Sequence, residues 1–203
     1  KTVKNVTAYD LVKLFTGSEG TLGIITEITA KLIPAPETAA AMLATFSSLE
    51  DAGNAIKGII SSKVIPATLE IMDQVTIRTV ENFAKVGLPT DAKAILLIEV
   101  DGIPEVVARE AEAVEKVVIE NNGSIIRAKD EQERENIWTA RRAALPALAQ
   151  FKPTTVLEDA TVPRSKITEM LLFLEQIAEK YKLDIGTFGH AGDGNLHPTI
   201  LTD

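Results

Sequence analysis

An α+β fold is the architecture that this sequence predicts, and two observations support it. Between residues 41 and 188, short apolar segments alternate with amphipathic ones, which is the pattern of a sheet covered by helices. The order of these segments is that of ferredoxin-like βαβ units, which build an antiparallel sheet with helices on one face. The chain has 203 residues, enough to bury the core of one large domain or two small ones.

Residues 1–36 form a distinct opening part. A glycine-rich turn at 17–23 precedes Ile24–Ile33, where side chains alternate between two faces. This alternation predicts a strand. Pro34-Ala35-Pro36 ends the strand, because each proline fixes its own φ and disfavours a helix at the residue before it. We therefore expect two parts in the chain, with 37–203 as the second.

The first half of the second part contains three predicted strands with helices between and after them. Ser48 can accept a hydrogen bond from the free amides at the start of the first helix. Proline suits the first turn of the helix that begins at Pro104, and Asn122-Gly123 tolerates the left-handed backbone that ends it. The predicted elements are a strand at Ala41–Phe46, a helix after Ser48, a strand at Ala67–Ile71, a helix at Asp73–Lys85, a strand at Lys93–Val100 and a helix at Pro104–Asn121.

The second half continues the alternation and ends in a glycine-rich tail. Glu158-Asp159 interrupts an otherwise apolar strand, so at least one carboxylate is expected to face the packed side and find a partner there. Pro146 is expected to kink a long helix. The predicted elements are a strand at Ser124–Ala128, a helix at Asp130–Gln150, a strand at Thr154–Thr161, an amphipathic helix from Pro163 and a strand at Leu183–Phe188.

Composition and charge exclude several classes of function. The net charge of −8 argues against binding to nucleic-acid phosphates, which needs a surplus of Lys and Arg. The absence of cysteine excludes disulfides, thiolate metal sites and a cysteine nucleophile, and it fits a reducing compartment. No apolar run reaches the ~20 residues of a membrane span. The chain begins without Met and ends just after a motif-rich stretch, so we expect it to be a piece of a longer protein.

Both histidines of the chain, His190 and His197, lie in one glycine-rich stretch, Gly189–His197. Two imidazoles across a glycine turn can converge on one divalent metal, with a carboxylate oxygen to complete the site. The alternative is a tight surface turn without a ligand, since two ligands are too few for a good metal site. From these residues alone the surface turn is slightly favoured.

Two further patterns are ambiguous when taken alone. Arg141 and Arg142 follow Trp138 by one helical turn, so a guanidinium can share a face with the indole and bind a carboxylate. The alternative is a solvated helix face, because charged residues lie just upstream. The Gly-x-x-Gly-x-x-Gly spacing of 17–23 precedes a strand, whereas dinucleotide-binding glycines follow one, which favours a simple turn.

Taken together, these stretches resemble FAD-linked oxidases of the vanillyl-alcohol-oxidase superfamily. The likeness extends over nearly the whole chain and is strongest to the flavin-dependent 2-hydroxy-acid dehydrogenases, of the glycolate oxidase and D-lactate dehydrogenase type. Phe15–Thr26 resembles the end of the flavin-binding domain, and the later segments resemble the cap domain in the same order. Those segments are Leu69–Asp73, Ile137–Arg141, Glu158–Pro163 and Gly189–Pro198.

The resemblance implies an activity, namely hydride transfer from the α-carbon of a 2-hydroxy acid to FAD. It implies that Arg141 grips the substrate carboxylate and that Thr199 lies at the substrate. It also implies that His190 and His197 bind a divalent metal such as Zn or Mn. The positions expected to contact FAD are Gly17, Ser18, Glu19, Gly20, Gly23, Ile24 and Asn195.

Other parts of such an enzyme are expected outside this chain. The resemblance places the flavin phosphate loops before Lys1, and a glutamate metal ligand and a histidine base after Asp203. The chain alone is therefore expected neither to hold FAD nor to catalyse. Where relatives that act on 2-hydroxyglutarate have threonine and asparagine, this chain has Leu145 and Thr199 respectively, which favours a smaller 2-hydroxy acid.

Partners and location are also expectations from the resemblance. It implies an iron–sulfur subunit as electron acceptor, it allows a homo-oligomer, and it indicates a cytoplasmic protein or one peripheral to the membrane within an electron-transfer complex. Two alternatives stay open. One is another FAD-linked oxidase, such as an alkyl-dihydroxyacetone-phosphate synthase, and the other is a ferredoxin-like module that binds a ligand or a partner protein.

Overall fold

The computed structural model of the protein describes residue 4 and residues 6–203. Its chain divides into two units, Lys1–Ala35 and Pro36–Asp203. Within the described residues, the first unit contains one short helix, α1 (Leu11–Phe15), and the second contains every strand.

The glycine-rich stretch of the first unit is a turn, as the sequence predicts. Gly17 and Gly20 have φ values of +83° and +78°, a backbone region that glycine enters without steric cost. The amide of Ser18 donates to the carbonyl of Phe15 at 3.0 Å, and the amide of Thr21 donates to that of Ser18 at 2.9 Å. Two successive turns therefore follow α1.

The strand predicted at Ile24–Ile33 is absent from the structure. A strand needs a neighbour to which its N–H and C=O groups can bond, and the described part of the first unit contains no other strand. Ile24 and Leu32 are 90% and 89% exposed. The alternating pattern thus leaves a row of apolar side chains on the surface of this unit.

The second unit is built on an eight-stranded sheet. Its strands pair antiparallel wherever they are bonded. A short 3₁₀ turn, Arg164–Lys166, precedes the last helix. In chain order the elements are β1 (Thr38–Phe46), α2 (Leu49–Ser61), β2 (Thr68–Asp73), α3 (Gln74–Ala84), β3 (Ala94–Gly102), α4 (Pro104–Glu120), β4 (Ser124–Arg127), α5 (Glu131–Phe151), β5 (Thr154–Leu157), β6 (Ala160–Thr161), α6 (Ile167–Tyr181), β7 (Asp184–His190) and β8 (Asn195–Thr202).

The strand order confirms the α+β fold class. Across the sheet the order is β4-β1-β3-β2-β7-β8-β5, with β6 also paired to β8. The run β4-β1-β3-β2 has the antiparallel order of a ferredoxin-like unit. Local signals operate as expected at two helix ends: Ser48 accepts the Asp51 amide at 3.0 Å, and Asn122 has a φ of +57° after α4.

Helices cover both faces of the sheet, and the expectation of a single covered face is wrong. One core layer joins the sheet to α2, α4 and α6, and a second joins it to α3 and α5. The cause is visible in β3, where every side chain of Ile95–Ile98 is at most 1% exposed. An apolar run without alternation is typical of a strand that is buried on both sides.

The strand predicted at Thr154–Thr161 is divided into β5 and β6. The interruption falls at Glu158 and Asp159, which are both exposed. The expected buried carboxylate is therefore absent, although Oδ1 of Asp159 lies 3.5 Å from Nδ1 of His197. The amide of Glu158 still donates to the carbonyl of Pro198 at 2.9 Å, but proline has no N–H to return a bond, so the ladder is interrupted opposite Pro198.

The glycine-rich tail is a β-hairpin rather than a loop without regular structure. His190 ends β7, Asn195 begins β8, and the two residues pair directly. Gly194 makes the turn possible: its φ is +78°, and a Cβ there would lie 2.2 Å from the carbonyl oxygen of Val162. Only glycine fits such a position, so the glycines of this stretch shape a tight turn between two strands.

Candidate functional site

The candidate site lies on the face of the sheet that α5 covers. Alternate residues of a strand face the same side, so Glu70 on β2 shares this face with Met72, which belongs to its apolar core. Phe188 on β7 belongs to the same core layer and pairs with His197 on β8. By the same alternation His190 lies on this face, so α5 and three strands bring distant parts of the chain together.

Glu70 is the centre of this cluster, and only 7% of its side chain is exposed. Its Oε2 accepts a hydrogen bond from Nε of Arg141 at 2.6 Å. Its Oε1 lies 2.5 Å from Nδ1 of His190. A buried carboxylate is tolerated when it is paired and hydrogen-bonded, and here each oxygen has its own partner. One side chain thus fixes both an arginine and a histidine.

Arg141 is held from two directions and still has donors to offer. Its Cζ lies 5.2 Å from the centroid of the Phe188 ring, a cation–π contact. Within the described residues its hydrogen bonding is confined to Nε, which donates to Glu70, so Nη1 and Nη2 remain unused. A guanidinium fixed at Nε can present these two nitrogens to a carboxylate in parallel hydrogen bonds. That substrate role stays a prediction.

His197 lies between the aromatic ring of Phe188 and the second histidine. Its centroid is 5.2 Å from that of Phe188 and 5.4 Å from that of His190, with the two imidazoles nearly perpendicular. Burial lowers the pKa of His197, although Asp159, with Oδ1 3.5 Å from Nδ1, acts in the opposite direction. The ring is therefore neutral at pH 7, the form in which histidine binds metals.

The two histidines suit a metal but do not complete a metal site. A histidine whose Nδ1–H bonds to a carboxylate presents Nε2 to a metal, and the contact between His190 and Glu70 has this form. Among residue 4 and residues 6–203, no group of three or more His, Cys, Asp or Glu side chains is placed to hold a metal ion. Because catalytic zinc generally has three protein ligands, a further ligand is required.

Asn195 and Thr199 lie on either side of His197 along β8 and differ in their surroundings. Nδ2 of Asn195 contacts Oγ1 of Thr161 at 3.2 Å, but its buried Oδ1 has no partner among the described residues. An orphaned acceptor of this kind indicates a donor that these residues do not supply. Thr199 is fully buried, and its hydroxyl bonds to the His197 carbonyl at 3.2 Å. The substrate contact expected for Thr199 stays a prediction.

A cavity of about 460 Å³ opens beside the cluster. It lies where the hairpin turn meets the start of β2, and the amide of Gly192 donates there to the carbonyl of Leu69 at 3.1 Å. Its wall includes Glu70, His190, Asp193, Lys63 and Arg164. Lys63 and Arg164 belong to no ion pair within the described part of the chain. Two unpaired cations in one wall favour an anionic ligand.

A second buried glutamate, Glu99 on β3, anchors the same helix. Its Oε2 accepts Nε of Arg134 at 2.9 Å and Nε1 of Trp138 at 3.0 Å, and its Oε1 accepts Nη2 of Arg134 at 3.1 Å. The hydrogen bond with Glu99 raises the pKa of Arg134. These bonds fix the register of α5 on the sheet. Arg141 lies about two helical turns further along the same helix.

The two adjacent arginines, Arg141 and Arg142, have different surroundings in the structure. The side chain of Arg142 is 59% exposed and pairs with Glu135, whereas that of Arg141 is 18% exposed. Leu145 is 40% exposed. The positions expected to contact FAD in the opening part all lie in the first unit, where they are exposed or partly exposed, namely Gly17, Ser18, Glu19, Gly20, Gly23 and Ile24.

Glu70 is the site residue to which sequence reasoning gave no role. The signal that could have found it is its position inside the apolar strand predicted at Ala67–Ile71. A charged residue in a buried strand needs an opposite charge. The identity of that partner, Arg141, depends on how α5 crosses the sheet, which no local pattern reveals.

Sequence comparisons with known proteins identify the family of this chain. Residues 35–203 match the family model described as FAD linked oxidases, C-terminal domain. The chain is 52% identical over 204 residues to the glycolate oxidase subunit GlcD of Bacillus subtilis, in an alignment that covers 100% of this chain and 43% of that protein. It is 33% identical to a D-lactate dehydrogenase of Anaerostipes hadrus, over 96% of this chain and 42% of that protein. The chain thus spans less than half the length of these relatives.

Solved structures give the same fold. An alkyldihydroxyacetonephosphate synthase superposes with a TM-score of 0.69 at 18% sequence identity, over 98% of this chain and 43% of that chain. A p-cresol methylhydroxylase superposes with a TM-score of 0.57 at 12% identity. At such identities the likeness concerns the fold alone.

In the described part of the chain, no helix is both long and apolar enough to cross a membrane.

Proposed function

The chain belongs to the family of FAD-linked oxidase C-terminal domains, and from this membership we propose that it forms the substrate side of a flavin-dependent active site. The reaction would be oxidation of a small 2-hydroxy acid of the glycolate or D-lactate type. The observation that carries the proposal is the state of Arg141: Glu70 and Phe188 hold it in place, while its two terminal nitrogens remain free to bind a carboxylate.

FAD, when bound, would supply the acceptor for the hydride that leaves the α-carbon of the substrate. The residues of this chain bind and orient. Arg141 holds the carboxylate, which fixes the position of the α-carbon. The unpartnered Oδ1 of Asn195 supplies an acceptor for a donor group of the flavin or the substrate. Lys63 and Arg164 in the cavity wall favour the approach of an anion.

A divalent cation such as Zn or Mn is the second expected cofactor, and it would polarise the substrate hydroxyl as a Lewis acid. His190 and His197 would hold it through their Nε2 atoms. We place the third ligand, and the base that accepts the hydroxyl proton, outside this chain. Elemental analysis tests this part: replacing either histidine by alanine should remove the bound metal, and full metal occupancy in both variants would exclude the assignment.

The first unit fits a role as part of a larger flavin-binding domain. Its apolar residues between 24 and 33 are on the surface and need a partner to cover them. We therefore propose that residues 1–36 belong to the flavin-binding domain and that residues 37–203 form the cap. The purified chain should accordingly be colourless after incubation with FAD and removal of the free flavin, and a yellow preparation with stoichiometric flavin would contradict this.

Paired arginine substitutions test the substrate role. Arg141→Lys keeps the charge but loses the planar fork, so in the enzyme that contains this chain the KM for glycolate or D-lactate should rise by about 30-fold, or roughly 2 kcal/mol. Arg142→Lys is the control on the adjacent surface position and should leave the KM within about 2-fold. A larger loss in Arg142→Lys than in Arg141→Lys would refute the assignment.

A further inference from the structure

We propose that Glu70 is a positioning residue that orients Arg141 and His190 together, so that the carboxylate site and the metal-binding imidazole form one coupled unit. This inference rests on the proposed function and adds a residue to it. The sequence distances are long: 71 residues separate Glu70 from Arg141 and 120 separate it from His190. The contact is therefore a product of the tertiary fold.

The two oxygens of Glu70 act on different partners. Oε2 accepts from Nε of Arg141 at 2.6 Å. An arginine nitrogen is always a donor, so this oxygen fixes which edge of the guanidinium faces the sheet and which edge remains for a ligand. The orientation of Arg141 is shared with Phe188, whose ring lies on one side of it.

Oε1 determines the tautomer of His190. A carboxylate oxygen accepts, so at 2.5 Å from Nδ1 it requires the proton on that nitrogen. Nε2 then carries the lone pair, which is the requirement for a metal ligand. The side chain of His190 is 47% exposed while that of Glu70 is 7% exposed, so the ring is fixed from its buried side and open on the other.

Glu99 shows what a carboxylate does when it serves packing alone. All of its partners, the two nitrogens of Arg134 and the indole of Trp138, are donors that are used up in the contact. The partners of Glu70 each keep an unused group directed elsewhere: the terminal nitrogens of Arg141 and the Nε2 of His190. Glu99 is therefore the matched control for Glu70, on the same face and under the same helix.

The amide in Glu70→Gln separates the two actions of the side chain. Its oxygen can still accept from Arg141, whereas its NH₂ group must donate to Nδ1 of His190. The proton of the imidazole then moves to Nε2, where it competes with a metal. In the holoenzyme we expect affinity for added Mn²⁺ or Zn²⁺ to fall about 10–100-fold, the range seen when such outer partners are lost. The KM for D-lactate or glycolate should change less than about 3-fold in the metal-saturated enzyme, since Arg141 keeps its hydrogen bond.

Three variants and two readouts decide the matter. Glu70→Gln, Glu70→Ala and Glu99→Gln are compared by metal titration and by ¹⁵N chemical shifts of histidine in the FAD-loaded enzyme from which metal has been removed, with the His190 signal assigned from His190→Ala. We expect the Nε2–H tautomer in Glu70→Gln, loss of both metal affinity and substrate affinity in Glu70→Ala, and neither change in Glu99→Gln.

Two results would overturn the proposal. One is a wild-type tautomer and metal affinity in Glu70→Gln. The other is an equal loss of metal affinity in Glu99→Gln, which would trace the effect to general destabilisation of the helix contact. The tautomer of His190 is measured without turnover, so it reports on Glu70 even if the wild-type enzyme oxidises neither D-lactate nor glycolate, an outcome that would refute the proposed function instead.

Discussion

The two glutamates that the described residues bury, Glu99 and Glu70, lie on neighbouring strands beneath one helix and differ in what they leave free. Glu99 is surrounded by three donors from Arg134 and Trp138, and every group in the contact is satisfied. Glu70 has two partners, Arg141 and His190, and both keep hydrogen-bonding capacity for something else. The comparison separates a contact that holds the fold from a contact that prepares a site.

The largest effect that can break this comparison is expected from Glu99→Gln. An amide has one acceptor oxygen, so its NH₂ group would face a donor nitrogen of Arg134 in a largely buried place. We expect the free energy of unfolding to fall by about 2–3 kcal/mol, against about 1 kcal/mol for Glu70→Gln, where His190 can reverse its tautomer. Urea unfolding of both variants measures this, and equal losses would show that the two contacts are not different in kind.

A third carboxylate, Asp73 at the end of β2, sharpens the comparison because it has no cation as partner among the described residues. Its oxygens accept the amides of Thr76 and Thr187, each at 2.8 Å. Burial nevertheless raises the pKa of Asp73 to about 6 from its ordinary 3.8, although those amides act in the opposite direction. The native state thus holds this proton to a higher pH than the unfolded chain does.

The sign of the pH effect follows from that difference. Between pH 4 and 6 the native state binds more protons at Asp73, so this group makes the free energy of unfolding fall as pH rises. The expected size is about 1–2 kcal/mol, since about 1.4 kcal/mol corresponds to one unit of pKa and the side chain is partly exposed. Unfolding at a series of pH values, compared with Asp73→Asn, isolates the contribution. A variant with the same pH dependence as the wild type would rule it out.

A smaller effect is expected from Trp138→Phe, which removes one donor from Glu99 and none from Glu70. The ring volume is largely kept, so the free energy of unfolding should fall by about the value of one hydrogen bond to a charged acceptor, about 1–2 kcal/mol. The lower end is expected because the indole is partly exposed. Thermal and urea unfolding give the value. Metal affinity should not change, and if it does, the two contacts communicate along α5.

The smallest effect concerns a cation that no carboxylate holds. Arg164 lies in the cavity wall and is exposed, so we expect it to act on the proposed anionic substrate through solvent rather than by a fixed contact. Arg164→Gln should lower kcat/KM by about 2–3-fold at low salt. The difference should vanish at roughly 0.5 M salt, because a shorter Debye length screens exposed charges. A loss that persists at high salt would indicate direct contact with the substrate.

Much of the fold follows from local patterns. The caps at Ser48 and Asn122, the proline at the start of α4 and the apolar run of β3 each lie where residue chemistry predicts an element boundary or a core strand. Two of the wrong predictions are those of strands, because a strand depends on the neighbouring strand with which it pairs. Ile24–Ile33 alternates as a strand does but has no described strand to pair with. The strand at Thr154–Thr161 is interrupted opposite Pro198, a proline of another strand that has no N–H to donate.

The candidate site was predictable in its residue types and less so in its connections. Arg141, His190 and His197 are rare or motif-bound residues in the sequence, so each could be singled out. The hairpin that joins the histidines and the carboxylate that joins His190 to Arg141 are set by strand register and by the path of α5. Those are properties of the whole sheet, and a one-residue change of register would turn Glu70 to the opposite face.

The position of β8 in the sheet also determines when the site can exist. Among the described strands, β5 and β6 pair with β8 alone, and 34 residues separate Thr161 from Asn195. At a synthesis rate of about 5–20 residues per second, β6 waits roughly 2–7 s on the ribosome for its partner. Until then its backbone is an open edge that another chain can join. Glu70 and Arg141 wait as well, so the imidazoles that complete the cluster are also the parts that arrive last.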